Sequence, residues 1–240
     1  MSAKEYKAGA ASGDVNGLTV NTGDAFTWPA SGTVGIKAFY PSSVGSSTNS
    51  FTVSTNQSAT GSATGTTDAE KGYKGSDLMY ATPIASQAKQ TSAVGLTFNH
   101  ALTKIVVNLT RGSGMSDADI AACTVTLNAK KTVGISSGQV PDTPVPSGDD
   151  VTITMGTGSG VAAIIVPQTI AASTNFITIT TNGSHSVSYS LPAEKTFAAG
   201  CVYTYSFTLG MSGITLQSTT ITDWNSTGDD KTINGGTLTL

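Results

Sequence analysis

The run GCVYTYSFTLGMSGITLQSTTITDW, from Gly200 to Trp224, constrains the fold more than any other part of the chain. Tyr203, Tyr205, Phe207 and Leu209 alternate, a Gly-containing turn follows, and a second β-rich run ends at a tryptophan. Side chains of a strand alternate between faces, so one face of this hairpin needs an apolar cover. Tyr203, Tyr205 and Trp224 are therefore expected to anchor the core of a C-terminal sandwich.

The period of two recurs almost everywhere. Val34, Ile36, Ala38 and Tyr40 alternate; so do Ile105, Val107 and Leu109, then Val125 with Leu127, Val151 with Ile153 and Met155, Ile177 with Ile179, and Val187 with Tyr189 and Leu191. Gly, Pro, Asn and Asp separate these runs, and Asn182-Gly183 predicts a tight hairpin into Val187. The pattern predicts an all-β protein with antiparallel neighbours. One short helix is expected, capped by Ser116 or Asp117 and running through Ile120 and Ala121.

The 240 residues suit two modest sandwiches, residues 1–112 and 113–240, with RGSGMSD as the joint and a second candidate joint near Pro83 to Ser92. The parity of Leu96, Phe98, His100 and Leu102 is even and that of Ile105, Val107 and Leu109 is odd, so a bulge is expected near Thr103 or Lys104. His100 reads as a satisfied core or edge histidine. The segment from Ser54 to Glu70 has no large apolar residue and reads as an exposed loop.

Charged residues make up 11% of the chain, while Ser and Thr supply roughly a quarter, Thr being the commoner. Polarity therefore comes from hydroxyls on β-branched side chains, which suit a pleated surface. The net charge of −3 and the single arginine, Arg111, argue against a nucleic-acid partner, because neutralising phosphates takes clustered cations. The longest apolar run, Val161 to Val166, is far short of a membrane span. The N-terminal MSAKEYKAGA has no apolar export core, so an export signal and any lipid-bearing cysteine are expected to lie outside this sequence.

Little here points to catalysis. Gly134-Ile135-Ser136-Ser137-Gly138 matches G-x-S-x-G, with Asp149 and His185 downstream, but the elbow needs a strand before the serine and a helix after it, and the flanks here are turn-like. No metal-ligand spacing, phosphate loop or dinucleotide fingerprint is present, so no cofactor and no metal site are expected. Cys123 shares parity with Val125 and Leu127, and Cys201 with Tyr203 and Tyr205, which favours buried thiols while leaving a disulfide open.

Six strings in order resemble one family. Asp77-Leu78-Met79-Tyr80-Ala81, Leu96 to Ile105 (LTFNHALTKI), Ser116 to Ile120 leading into Thr124-Val125-Thr126-Leu127, Ala163 to Gln168 (AIIVPQ), Phe197 to Tyr205 (FAAGCVYTY) and Ile221-Thr222-Asp223-Trp224 are similar to the fimbrillin-like family of Bacteroidales surface proteins. The match spans Asp77 to Trp224, and Met1 to Lys74 agrees mainly in character. The resemblance implies two transthyretin-like β-sandwich domains in tandem, export as a lipoprotein to the outer membrane, and assembly into type V pili with other pilin subunits. It also implies trimming of an N-terminal strand after Arg or Lys, yet no arginine precedes Arg111, so the expected site lies outside this sequence, is Lys4 or Lys7, or does not exist.

After Trp224 comes KTINGGTLTL, in which Leu238 and Leu240 share a face and Ile233 precedes Gly235-Gly236. Strand addition draws affinity from main-chain hydrogen bonds and specificity from alternate side chains, so Ile233, Leu238 and Leu240 are expected at a subunit interface. The expected role is a structural or adhesive fimbrial subunit at the cell surface, without catalysis. The competing reading is a monomeric glycan-binding or accessory adhesin that contacts a host or bacterial surface ligand.

Overall fold

The computed structural model describes residues 6–12, 15–20, 28–41, 44, 49–62, 64–90, 94–136, 140, 144–182, 185–211, 213–224 and 237–238; along 6–12, 15–20 and 237–238 it describes backbone pairing. In chain order the first strands are β1 (Tyr6–Ser12), β2 (Val15–Val20), β3 (Thr33–Ile36), β4 (Phe39–Tyr40) and β5 (Ser50–Thr52). A one-turn helix α1 (Asp68–Lys71) precedes β6 (Met79–Ala81), β7 (Ile84–Ala88), β8 (Phe98–His100) and β9 (Thr103–Arg111). Helix α2 (Asp117–Ala122) leads into β10 (Thr124–Ala129), β11 (Thr132–Gly134), β12 (Pro146–Ser147), β13 (Val151–Thr157) and β14 (Val161–Ile165). The chain continues through β15 (Gln168–Ile170), β16 (Asn175–Thr180), β17 (Ser186–Ser190), β18 (Lys195–Phe197), β19 (Cys201–Gly210), β20 (Gly213–Asp223) and β21 (Thr237–Leu238). The protein is all-β, with mostly antiparallel sheets.

The largest unit is a sandwich. One sheet has the order β14-β9-β19-β20 and the other β13-β10-β16-β17. Their facing sides meet through aromatic rings: Phe176 of β16 lies edge-on to Tyr205 of β19 at 5.7 Å, and Tyr189 of β17 lies 5.3 Å from Phe207. Ile105, Val107, Val125, Leu127, Ile153, Ile177 and Ile179 fill the space between. Along β9, β10 and β13 each alternates with a half-exposed or exposed neighbour, as the pleat requires, while in β16 Ile177 follows the buried Phe176 at a register shift.

The outer face of the second sheet bears hydroxyls. One rank crosses all four strands as Thr154, Thr126, Thr178 and Ser188. Thr178 bonds Ser188 at 3.0 Å and Thr180 bonds Ser186 at 2.8 Å, hydroxyl to hydroxyl. None of the four strands contains a charged residue.

Three features depart from simple expectation. First, the parity change after His100 is a change of sheet rather than a bulge. β8 pairs with β6, β9 pairs with β14 and β19, and Ala101-Leu102 carries the chain between them. Leu102 accepts a hydrogen bond from Gly200 N, and Ala101 N donates to Leu78 O, so the crossing is tied on both sides. Secondly, β9 pairs in parallel with β19, from Lys104 opposite Val202 to Arg111 opposite Leu209. This strand stands before the joint expected at 112/113 and lies in a sheet whose other members all follow it.

Thirdly, the Ser54 to Glu70 segment is not a free loop. Ser54 and Gln57 are buried. Gln57 Nε2 donates to Ile164 O at 2.8 Å while Ile164 N donates to Gln57 Oε1 at 2.7 Å, so one side-chain amide imitates a strand partner for β14. Thr154 N donates to Thr55 O and Gln57 N to Thr154 O, fastening the segment beside β13. Helix α1, missed by periodicity because one turn carries no apolar stripe, is held by a capping box between Thr67 and Glu70.

Helix α2 has Ser116 as its N-cap, with Asp119 answering as the other half of a capping box, and it buries Ile120. The hairpin from β16 to β17 is antiparallel, with Thr180 opposite Ser186. Both cysteines are free thiols; Cys123 is buried and Cys201 half-buried. Burial raises both thiols above their usual value, helped by the Asp119 carboxylate at Cys123 and by Asp223 at Cys201.

Candidate functional site: an open flank of the sandwich

The aromatic strand sets the site. Tyr203, Tyr205, Phe207 and Leu209 all point inward and are buried. Tyr203 Oη accepts from Ala198 N at 3.0 Å and donates to Thr196 O at 3.2 Å, so its ring reaches the core while its hydroxyl ties down the loop before the strand. Burial first, and the neighbouring Tyr189 and Tyr203 next, raise the Tyr205 hydroxyl far above a normal tyrosine.

At the end of β20 the pairing continues one residue further, Trp224 N donating to Gly200 O at 2.7 Å. Gly200 turns there with φ of 67°, a left-handed conformation that glycine adopts without strain. Trp224 is 2% exposed and lies flat against His100, with ring centroids 3.8 Å apart and planes within 4°. Lys104 Nζ sits 5.6 Å from the Trp224 ring, and His100 Nδ1 meets Asp77 Oδ1 at 2.9 Å. The Asp77 carboxylate, after burial, contributes to a Tyr40 hydroxyl pushed up to about 12. This cluster is a joint between the β4-β6-β8 sheet and the end of the sandwich.

Beyond that joint the sandwich has an unfinished side. β20 is the last strand of its sheet, and among the described residues no strand pairs with its outer edge. Register with β19 sets which β20 residues face inward: Ile214 opposite Leu209, Leu216 opposite Phe207, Thr219 opposite Tyr205 and Ile221 opposite Tyr203. The partners are buried, but Ile214 and Leu216 are half-covered and Ile221 is 52% exposed. Across the gap, Val187 and Tyr189 of β17, also the last strand of its sheet, are half-covered too. An inward-facing isoleucine left half in water forgoes about 1 kcal/mol of burial. The flank thus offers a backbone edge beside apolar positions, the two things an added strand uses.

Of the residues named from sequence for a subunit interface, Ile233 and Leu240 lie outside the described residues. Leu238 is described through its backbone, which pairs in parallel with Leu18 of β2, beside Thr237 opposite Gly17. Ser136, Asp149 and His185 are each exposed, at the end of β11, before β13 and before β17 respectively. His100 is buried and partnered by Asp77. Among the described residues no group of His, Cys, Asp and Glu could hold a metal ion. No described helix is long and apolar enough to cross a membrane. Sequence reasoning passed over the open flank, although a signal was there: Ile214 and Leu216 are even while Ile221 is odd, which betrays a parity shift within β20.

The chain is similar to known proteins along most of its length. A fimbrillin-like family model matches residues 1–224. A candidate fimbrium subunit of Bacteroides uniformis, Fim1C, is 27% identical over 166 residues, which cover 63% of this chain and 52% of that protein. The matched region thus spans about half the length of this curated relative. Among solved structures, a candidate cell adhesion protein from Bacteroides uniformis superimposes with a TM-score of 0.70 at 23% identity, covering 92% of this chain and 84% of the other. One from Bacteroides ovatus gives 0.60 at 16% identity, covering 86% and 75%. At such identities the likeness establishes a shared fold. With the family match running from the first residue through Trp224, the chain belongs to the fimbrillin-like family.

Proposed function

We propose that this protein is a structural or adhesive subunit of a cell-surface fimbria of the type V kind, joined to its neighbours by strand addition. The observation that carries the reading is the open flank, where Ile221 stays half exposed on the inward face of an eleven-residue edge strand. Family membership and the naming of the Bacteroides uniformis relative as a candidate fimbrium subunit point the same way. The partners are other pilin subunits, and the incoming plugs are Ile233, Leu238 and Leu240 of a neighbour's terminal strand. The site of action is the outer surface of the cell, where a lipid anchor would hold the assembly. The work is mechanical and adhesive rather than catalytic.

Electron microscopy tests this directly. Purified protein, treated briefly with a trypsin-like protease to trim the N-terminal segment, is expected to form filaments. A protein that stays monomeric at high concentration, trimmed or not, would sink the reading.

A further inference from the structure

The far end of the sandwich carries a groove that strand pairing does not use. β9 begins beside the joint where Lys104 approaches Trp224 and ends at Arg111, roughly 27 Å further along. Three connections meet there. Gly112 N donates to Leu209 O at 2.7 Å and Met211 N to Ser113 O at 3.2 Å, which ties the chain leaving β9 to the tip of the β19–β20 hairpin. Gly158 N donates to Cys123 O at 2.8 Å and Leu109 N to Ser159 Oγ at 2.7 Å, so the turn between β13 and β14 is fastened both to the exit of α2 and to β9. Between α2, the end of β9 and that turn lies an open cavity of about 500 Å³, within the size range of small-ligand sites.

The floor of the cavity is apolar, built from the buried Leu109 and Ile120 with Ala121 beside them. The rim is polar. Thr110, Thr157 and Ser159 are exposed, and Ser159, whose oxygen accepts from Leu109 N, keeps its proton to donate. Arg111, the chain's single arginine, has a side chain 62% exposed, with Nε 3.2 Å from Oδ1 of Asp117, itself 90% exposed. The ion pair steadies the guanidinium through one nitrogen. Among the described residues nothing engages its two terminal amino groups or the second oxygen of Asp117.

A pyranose ring has neighbouring hydroxyls that each give and take a hydrogen bond, and a face of C–H groups that gains by leaving water. The flat edge of Arg111 donates to two adjacent oxygens, Asp117 accepts from a hydroxyl, and the Leu109 and Ile120 floor receives the C–H face. Charge selects among sugars. Arg111 and Asp117 cancel, and the exposed Asp119 on the same short helix leaves this end negative, which disfavours an acidic sugar and leaves a neutral one unaffected.

We propose that this groove binds neutral pyranose residues of a glycan, giving the adhesive side of the proposed function a seat apart from the backbone edge of β20. No aromatic residue lines it, so a single site grips weakly. Repetition along a fibre raises the overall affinity roughly a hundredfold or more.

NMR on the single ¹⁵N-labelled subunit tests the site without requiring filaments. The probes are the methyl glycosides of glucose, galactose, mannose and N-acetylglucosamine, with N-acetylneuraminic acid and acetate as anionic comparisons. At least one neutral sugar is expected to shift the amides of Thr110, Arg111, Gly158 and Ser159 together and saturably, at lower concentration than either anion. Arg111→Gln and, separately, Asp117→Asn, both at exposed positions, are expected to weaken that binding about tenfold, while Thr169→Ala, an exposed hydroxyl on β15, leaves it unchanged. No shift with any neutral sugar, a stronger response to the anions, shifts confined to other parts of the chain, or binding untouched by both rim substitutions would each overturn the site. Filaments that form from a subunit blind to sugars refute the groove alone, and sugar binding by a subunit that never polymerises refutes the assembly alone.

Discussion

Thr103 shows how this chain spends its hydroxyls. It is wholly buried at the start of β9, where its Oγ1 donates to Ala198 O at 2.7 Å and ties the sheet change at Ala101-Leu102 to the loop ahead of the aromatic strand. Thr103→Val keeps the shape and removes the donor, so the buried side chain no longer holds the Ala198 carbonyl. Urea unfolding should show a loss of about 1 to 2 kcal/mol, with Thr103→Ser restoring most of it. The alternation of Tyr203, Tyr205, Phe207 and Leu209 could be read from sequence because apolar parity is a local signal. Gln57 could not: its value lies in matching the backbone of Ile164 far along the chain, and nothing in a Ser-, Thr- and Gly-rich stretch marks one glutamine as a mock strand.

Short elements depend on their caps. Helix α1 has one turn and no buried residue, so it stands on the Thr67 and Glu70 capping box. The Glu70 carboxylate accepts from Thr66 N and Thr67 N and from the Thr66 hydroxyl, which draws its pKa from 4.5 down to about 2. A depressed acid stabilises the fold at pH above its unfolded value, and the contribution fades as pH falls through the folded one. Amide exchange should therefore find Thr66 and Thr67 protected above about pH 4.5 and losing protection toward pH 2, with Glu70→Gln weakening it above about pH 4.5 and making little difference toward pH 2. Helix α2 was legible because Ser116 and Asp119 stand at capping-box spacing beside an apolar residue. The turn into β9 was misjudged because a parity break looks the same whether one strand bulges or the chain moves to another sheet; the pairing partners decide, and they are distant in sequence.

Across the whole molecule, the N-terminal half contributes to the C-terminal sandwich: β9 lies in its sheet and the 54–57 segment lines its β13 and β14 side. Fold class was plain in the sequence, but this interleaving was not, since a parallel pair such as β9 with β19 leaves no turn to announce it. The opposite flank, at β17 and β20, carries no further strand among the described residues. Ile221→Lys sets a charge on that inward position, a natural device for blocking strand addition. Since Ile221 is already 52% exposed, thermal unfolding should move little, about 0.5 kcal/mol, while filaments viewed by electron microscopy should be lost. Unchanged filaments would exclude this flank as the joint.

The rank of Thr154, Thr126, Thr178 and Ser188, on a sheet built without one charged residue, has a bearing on where such a protein can work. Ionic strength acts through charges, and the four strands of this face carry none to be screened. A fibre clad in such faces would keep the same coat in dilute fluid and in brine, with neither swelling from self-repulsion nor clumping as counter-ions crowd in.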